Sequence, residues 1–303
     1  MPKKNNVSVT ERLENNFAAK IRWRMRYDRS PELITVADKI LLKKYAASRN
    51  VETCPTILVA TDISEISFES LPDSCMIKAS HGSGWNIMRK DGCYFYFGNG
   101  SDFDSKILKN ESMSVREVET MCNNWLNLKY SSNEWVYHQM TPAIIIEEIL
   151  EPFMGKELLD FRFYTFDGEV AAINVGSPSY RTDDANAFFS RDWQLMELSE
   201  HAEALPDPLP PRPPNLEEML EACKRLGKNI DFVRIDFYET INGPVLGEMT
   251  VYPEGGKPFS PSGCRGFNRW LGRRWKMTGV QELFVFMNNV RDVTASICRK
   301  LGL

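Results

Sequence analysis

The 303-residue chain has only three histidines and seven cysteines, and what they fail to form is informative. Cys54, Cys75, Cys93, Cys122, Cys223, Cys264 and Cys298 are odd in number and scattered, with no close pair. That excludes a zinc-ligand pattern and a redox pair, and leaves the ordinary thiols of a reducing compartment. Long apolar runs are missing: no stretch approaches the ~20 residues of a membrane-spanning helix. The polar start Met1-Pro-Lys-Lys-Asn-Asn lacks the apolar run of a signal peptide, so a cytoplasmic protein without a transmembrane segment is expected. Excess positive charge is absent as well. With 37 basic residues against 41 acidic there is no general field to draw nucleic acid, and no nucleic-acid partner is expected. At 43% hydrophobic, the chain can bury the core of one large domain or of two to three lobes.

Periodicity orders the elements. Residues 11 to about 50 read as helical, with Thr35 a candidate cap and Val36, Ile40, Leu41 and Tyr45 an apolar stripe that leaves out Lys39, Lys43 and Lys44. Strand-like runs follow at 56–60 and 75–79. Residues 91–100 alternate between glycines, as a hairpin or flap would. Ser114 caps a helix carrying Val118, Cys122 and Trp125, and 143–150 reads as a continuous apolar strand that acquires Glu147 and Glu148 at its end. Residues 159–175 read as a hairpin about an Asp167-Gly168 turn, with Asp160, Arg162 and Tyr164 on one face. Six prolines between Leu205 and Pro214 make a stiff connector into a helix capped by Asn215 and stopped by Gly227. A last amphipathic helix runs from Val280 to Leu301. No internal repeat is present.

Three features carry chemistry. Phe232-Val-Arg-Ile-Asp-Phe-Tyr-Glu239 followed by Val245-Leu-Gly-Glu-Met-Thr250 offers Asp236 and Glu248 beside Arg234, and paired strand carboxylates read as a divalent-metal site. Strand alternation puts Arg234 and Asp236 on one face and Val233, Ile235 and Phe237 on the core face. Glu248 joins Asp236 only across a connection of odd length, so a three- or five-residue loop is expected. The plain alternative is an amphipathic hairpin with a solvated charged face. Upstream, Met76-Ile-Lys-Ala-Ser-His-Gly-Ser-Gly-Trp-Asn86 sets Lys78 on an apolar strand before a Gly/Ser loop, the arrangement of a phosphate cradle. Lysine, loop and carboxylates together point to ATP.

The same residues carry a family resemblance. Lysine before a helix, lysine on a strand, a glycine loop, an apolar strand ending in acids, then Arg-x-Asp and Gly-Glu-x-Thr resemble the ATP-grasp ligases. Tyr27-Asp-Arg-Ser-Pro31, Ala37-Asp-Lys39, His81-Gly-Ser-Gly-Trp-Asn86 and Gly247-Glu-Met-Thr-Val-Tyr-Pro253 resemble their TupA-like (teichuronopeptide biosynthesis-like) branch over residues 21–256. The resemblance implies an α+β ATP-grasp fold, two sheet-containing lobes enclosing an ATP cleft. The domains would be an N-terminal helical segment (1–55), an N-lobe with the glycine loop (56–148), a C-lobe with the metal site (149–276) and a C-terminal helix (277–303).

It also implies roles. Lys43 and Lys78 contact the phosphates of ATP, with Lys44 the alternative to Lys43. The loop of His81, Gly82, Ser83, Gly84, Trp85 and Asn86 closes over them, although His81 is equally placed to brace the loop, Trp85 to pack a core edge and Asn86 to cap the next turn. Glu147, Glu148, Ile149 and Leu150 line the adenine pocket, with at most one of the two acids pointing in. Asp160 reaches or flanks the ribose, with Arg162 also in the nucleotide-binding set; Arg162 and Arg181 are otherwise suited to an anionic acceptor or to surface salt bridges. Arg234, with Lys78, is catalytic, while Asp236, Glu248 and Thr250 hold Mg2+; many relatives place asparagine where Thr250 stands. The implied activity is an ATP- and Mg-dependent carboxylate–amine ligase forming an amide through an acylphosphate, in synthesis of a cell-surface polysaccharide or peptide-like polymer. A phosphotransferase and a non-catalytic nucleotide-binding module are the alternatives. ATP, small carboxylate and amine substrates, or a polysaccharide acceptor are the expected partners. Arg265 to Lys276 interleaves bases with aromatics, which fits an acidic polymer, a helix packing its tryptophans inward, or a membrane surface.

Overall fold

The computed structural model describes residues 16–96, 111–131, 133–153, 158–176, 187–196, 205–259 and 265–301. The chain divides into two compact units: a first of Ser30–Leu158 with Tyr238–Glu248, and a second of Met1–Arg29, Leu159–Phe237 and Met249–Leu303.

The first unit is built on a six-stranded sheet of order β1-β6-β2-β3-β4-β5. Its strands are β1 (Thr56–Ala60), β2 (Cys75–Ala79), β3 (Asn86–Lys90), β4 (Cys93–Tyr96), β5 (Ser112–Met113) and β6 (Ile144–Glu147). The two runs read as strands at 56–60 and 75–79 are strands over those residues. The expected hairpin starts earlier than its glycines suggested: β3 and β4 turn at Asp91-Gly92, and 97–110 lie outside the described residues. One sheet face is the core, where Cys75, Ile77 and Ile87 meet Val118, Cys122 and Trp125, all fully buried. The latter three lie on one helix of the unit (Val115–Asn127), which starts with the expected Ser114 cap, completed as a capping box by Glu117.

The helical region is broken in three: α1 (Phe17–Tyr27), α2 (Pro31–Ala37) and α3 (Lys39–Ala47). Thr35 is not a cap. It lies inside α2, and α3 is capped by Asp38, whose carboxylate accepts from the backbone N–H of Ile40 and Leu41 at 2.8 and 3.0 Å. The extended backbone of Asp38 resets the helical phase, so Leu42 and Ala46 turn inward while Leu41 is exposed, contrary to the expected stripe.

In the second unit, α1 packs on the last two helices, and a five-stranded sheet runs in the order β11-β10-β7-β8-β9. Its strands are β7 (Asp160–Phe166), β8 (Glu169–Val175), β9 (Phe188–Phe189), β10 (Val233–Thr240) and β11 (Gly243–Thr250); the end of β10 from Tyr238 and β11 as far as Glu248 belong to the first unit. The Asp167-Gly168 turn forms as expected, with φ of 50° and 79°. Asn215 stands at the N-cap of its helix (Leu216–Gly227), though its side chain does not cap it by hydrogen bond.

Two expectations about strands fail. Residues 143–150 are a strand only from Ile144 to Glu147, because beyond Glu147 the backbone leaves the sheet and Ile149 is exposed. The link between β10 and β11 is the two-residue turn Ile241-Asn242, not a three- or five-residue loop. The alternation slips inside β11 instead: Pro244 and Leu246 are buried, then Met249, a shift of one residue at Gly247-Glu248 of the kind a bulge makes.

Candidate active site

Each unit carries a cluster of predicted residues. In the first, antiparallel register sets Glu147 across from Met76, so Lys78, two residues further along β2, is its diagonal neighbour on the same face. Lys78 Nζ lies 2.7 Å from one Glu147 carboxylate oxygen, and Lys43 Nζ reaches the other at 2.6 Å from α3. Lys43 also donates to the Cys54 carbonyl. Lys44 is exposed, and of the two lysines Lys43 is the one turned to Glu147. Burial would raise the Glu147 carboxyl, but the two ammonium groups outweigh it and hold the group below the usual carboxylate range. Glu148 is exposed, so of the two acids only Glu147 is turned into the unit.

Lys39 belongs to this cluster and was missed. It lies four residues before Lys43, on the same face of α3, and donates to the carbonyl of Gly82 in the glycine loop. Burial pushes its ammonium down, while the Glu248 carboxylate of the same unit opposes that shift. The i,i+4 spacing of Lys39 and Lys43 was the available signal.

The loop is fixed by aromatic packing. His81 is buried, with Nε2 2.9 Å from the Trp125 carbonyl, and burial pushes its imidazole down, favouring the neutral ring. Trp85 is buried, stacks on Trp125 at 6.2 Å and meets His81 edge-on. Both brace the loop from inside. Ser83 is exposed and Gly84 and Asn86 are partly so; Asn86 opens β3 and caps no turn. A Cβ at Gly82 would meet the Trp85 ring at 2.8 Å, so any side chain here would force the loop or the ring to shift.

The second cluster is made of guanidinium–carboxylate pairs. Arg234 holds Asp236 through two parallel bonds of 2.8 and 2.5 Å, and the same guanidinium donates to the Thr250 hydroxyl at 3.1 Å. Val233, Ile235 and Phe237 form the core face, and Arg234 and Asp236 are buried too, so this is no solvated amphipathic hairpin. Arg162 pairs Asp160 at 2.8 Å on β7. Burial alone would lower the Arg162 guanidinium, but Asp160 keeps it above its ordinary value, with Asp236 adding to that support and Arg234 opposing it. Tyr164, on the same face, is pushed up strongly by burial. Arg181 lies outside the described residues.

Of the three expected metal ligands, Asp236 and Thr250 lie in the second unit and Glu248 in the first. They are hard oxygen donors, and no group of three or more acidic, cysteine or histidine side chains suited to a metal occurs among the described residues. Oxygen donors of this kind are the ones Mg2+ takes, as one or two carboxylates with several waters and phosphate oxygens for the rest.

A family profile described as TupA-like ATPgrasp matches residues 19–276. The chain belongs to the TupA-like ATP-grasp family. Membership carries the ATP-grasp fold, α+β with a sheet in each lobe, and the cofactor pair ATP and Mg2+. Among solved structures, the ATP-grasp ligase PsnB with minimal precursor, Mg and ADP is similar at 13% identity, over 82% of this chain and 61% of that one, with a TM-score of 0.38. D-alanine–D-alanine ligase from Bacillus anthracis with ATP matches at 14% identity over 84% and 67%, TM-score 0.43. L-amino acid ligase from Bacillus licheniformis matches at 13% over 85% and 55%, TM-score 0.43. This TupA-like chain thus spans about three fifths of the PsnB chains it matches. Comparison with curated proteins finds none that matches. Among the described residues no helix is long and apolar enough to cross a membrane.

Proposed function

We propose that this TupA-like protein is an ATP-dependent carboxylate–amine ligase, acting in the cytoplasm on a polymer or polymer precursor of the cell surface. The observation that carries the reading is the convergence of Lys39, Lys43 and Lys78 on one carboxylate and one glycine loop. Lys43 and Lys78 share the single charge of Glu147, while Lys39 holds the glycine loop with Glu248 near it, and cations so placed favour an anion of higher charge such as a triphosphate. The loop, braced by His81 and Trp85, would present backbone to the phosphates while Lys43 and Lys78 exchange part of their bond to Glu147 for phosphate oxygens.

In the proposed reaction the γ-phosphoryl group passes to a substrate carboxylate, breaking its bond to ADP and forming an acylphosphate. An amine then attacks the acyl carbon, phosphate leaves, the nitrogen loses a proton and an amide remains. Arg234 and Arg162 are the groups suited to hold the acceptor carboxylate and the acylphosphate, because a planar guanidinium pairs two oxygens at once. Mg2+ held by Asp236, Glu248 and Thr250 would supply charge neutralisation to the phosphates. The neutral Thr250 makes that set weaker than one with an additional anionic ligand.

The test is turnover of purified protein with ATP, Mg2+ and a panel of amino acids and uronic acids, following ADP, phosphate and amide. Lys78→Ala and Asp236→Asn serve as controls, each checked for folding by circular dichroism. ADP and phosphate that require both an acid and an amine, and vanish in both controls, are expected. ADP with a phosphorylated product and no amide would replace ligation by phosphotransfer. Failure to bind ATP would overturn the reading.

A further inference from the structure

The last helix (Gly279–Leu301) is turned inside out. It docks on α1 through polar groups: Arg22 bonds Asp292 at 3.0 Å and Asn289 at 3.1 Å, and Arg26 holds Asp292 at 3.2 Å. Val285 is the buried apolar contact on that side. Half a turn away the helix presents Val280, Leu283, Met287, Val290 and Thr294, at spacings of three and four that keep them on one face. The first three are 68%, 58% and 58% exposed, and Phe284 beside them is 47% exposed. A surface helix of a soluble protein orders its faces the other way.

Charge says what covers this face. Residues 265–303 hold eight basic and two acidic side chains, so a chain of net −4 is divided into a +6 end and a −10 remainder. Arg273, Arg274 and Lys276, just before the helix, are exposed, as are Arg291 and Arg299 along it. The aromatics between the first of these bases serve the fold: Phe267 and Trp275 are buried, and Arg274 lies over the Trp270 ring at 3.3 Å. The basic aromatic segment thus packs its rings inward and shows its cations outward. Apolar side chains rimmed by cations fit a bilayer with anionic headgroups. A second copy would set cation against cation.

We propose that Gly279–Leu301, with the bases before it, is a peripheral anchor that lies in the interface of an anionic phospholipid membrane. It extends beyond the residues that match the family and is independent of the ligase reading. The 23-residue helix would lie flat, about 35 Å long, with its polar side already satisfied by α1 and its apolar side in the headgroup–acyl boundary.

The test is flotation of the full chain with vesicles of phosphatidylcholine and phosphatidylglycerol in equal parts, against phosphatidylcholine alone, at low and high salt. Partitioning on the anionic vesicles, weakened by salt, is expected. Leu283→Glu with Met287→Glu should reduce it at least tenfold, and Arg273→Gln and Lys276→Gln about fivefold each. Circular dichroism checks the variants; if the double variant misfolds, the salt series on the natural chain and the two charge variants decide. Absence of partitioning, or equal partitioning on neutral vesicles, overturns the proposal. So does a dimer seen by sedimentation without lipid and lost in the double variant, which would assign the face to a second copy.

Discussion

Glu147 shows how a side chain's environment sets its use. Its carboxyl is depressed in the folded chain, so its ionisation stabilises the fold above the unfolded carboxylate range, ~4.3, and that contribution is lost as pH falls through the folded value. Glu147→Gln leaves Lys43 and Lys78 without their shared acid. The lysine side chains are part-exposed, so we expect a loss of about 1–3 kcal/mol at pH 7, below the cost of breaking a fully buried pair. Denaturant unfolding should show the difference between the variant and the natural chain shrinking as pH falls below the unfolded carboxylate range; a difference that stays constant on acidification would exclude an ionic cause. At Gly82 the argument is steric. Gly82→Ala drives a methyl into the Trp85 ring, so the loop or the ring must shift, and the KM for ATP is expected to rise about tenfold or more with little change in the melting temperature. An unchanged KM would remove the loop from the phosphate site. Lys78 was legible because a lysine between Ile77 and Ala79 on a buried strand is uncommon, whereas Lys39 read as one of several helix lysines until Gly82 was seen to accept from it.

Elements were legible where the pattern is local and hidden where a neighbour resets it. The strands at 56–60 and 75–79 and the Ser114 cap follow from alternation and capping chemistry within a few residues. The phase of Lys39–Ala47 depends on Asp38 standing extended between two helices, and propensity does not specify that. The hairpin of β10 and β11 shows the same limit: its turn is the two-residue Ile241-Asn242, and the burial alternation of β11 slips at Gly247-Glu248, which no local signal announced. Arg162 depends on the end of β8 in a like manner. A Cβ on Gly176 would fall 2.2 Å from the guanidinium carbon of Arg162, so Gly176→Ala must expel that side chain from its pairing with Asp160. If Arg162 holds an acceptor carboxylate, the variant should raise the acceptor KM by tenfold or more and leave the ATP KM near its natural value. Steady-state kinetics in both substrates separate these, and a change confined to ATP would assign Arg162 to the nucleotide.

At the scale of the molecule, the sequence carried the superfamily but not the way the chain is shared between units. Nothing local in Phe17–Tyr27 announces that Arg24 is wholly buried, stacks on Trp275 at 4.3 Å and donates to the Phe232 carbonyl at 2.8 Å, contacts 251 and 208 residues away that tie the first helix into the second unit. The division gives the ATP chemistry a thermodynamic signature. A ligand that binds only the folded chain stabilises it by about 2.7 kcal/mol at a hundredfold excess over Kd, a rise of several degrees in melting temperature for domains of this size. ATP with a chelator draws on the lysines of the first unit alone, so it should raise the melting temperature equally in the natural chain and in Asp236→Asn, and not in Lys78→Ala. Added Mg2+ should extend the rise in the natural chain only, because Asp236 is the buried carboxylate of the expected metal set. Differential scanning calorimetry of the three proteins checks this, and a Lys78→Ala protein that keeps the full shift would take the lysine cluster out of nucleotide binding.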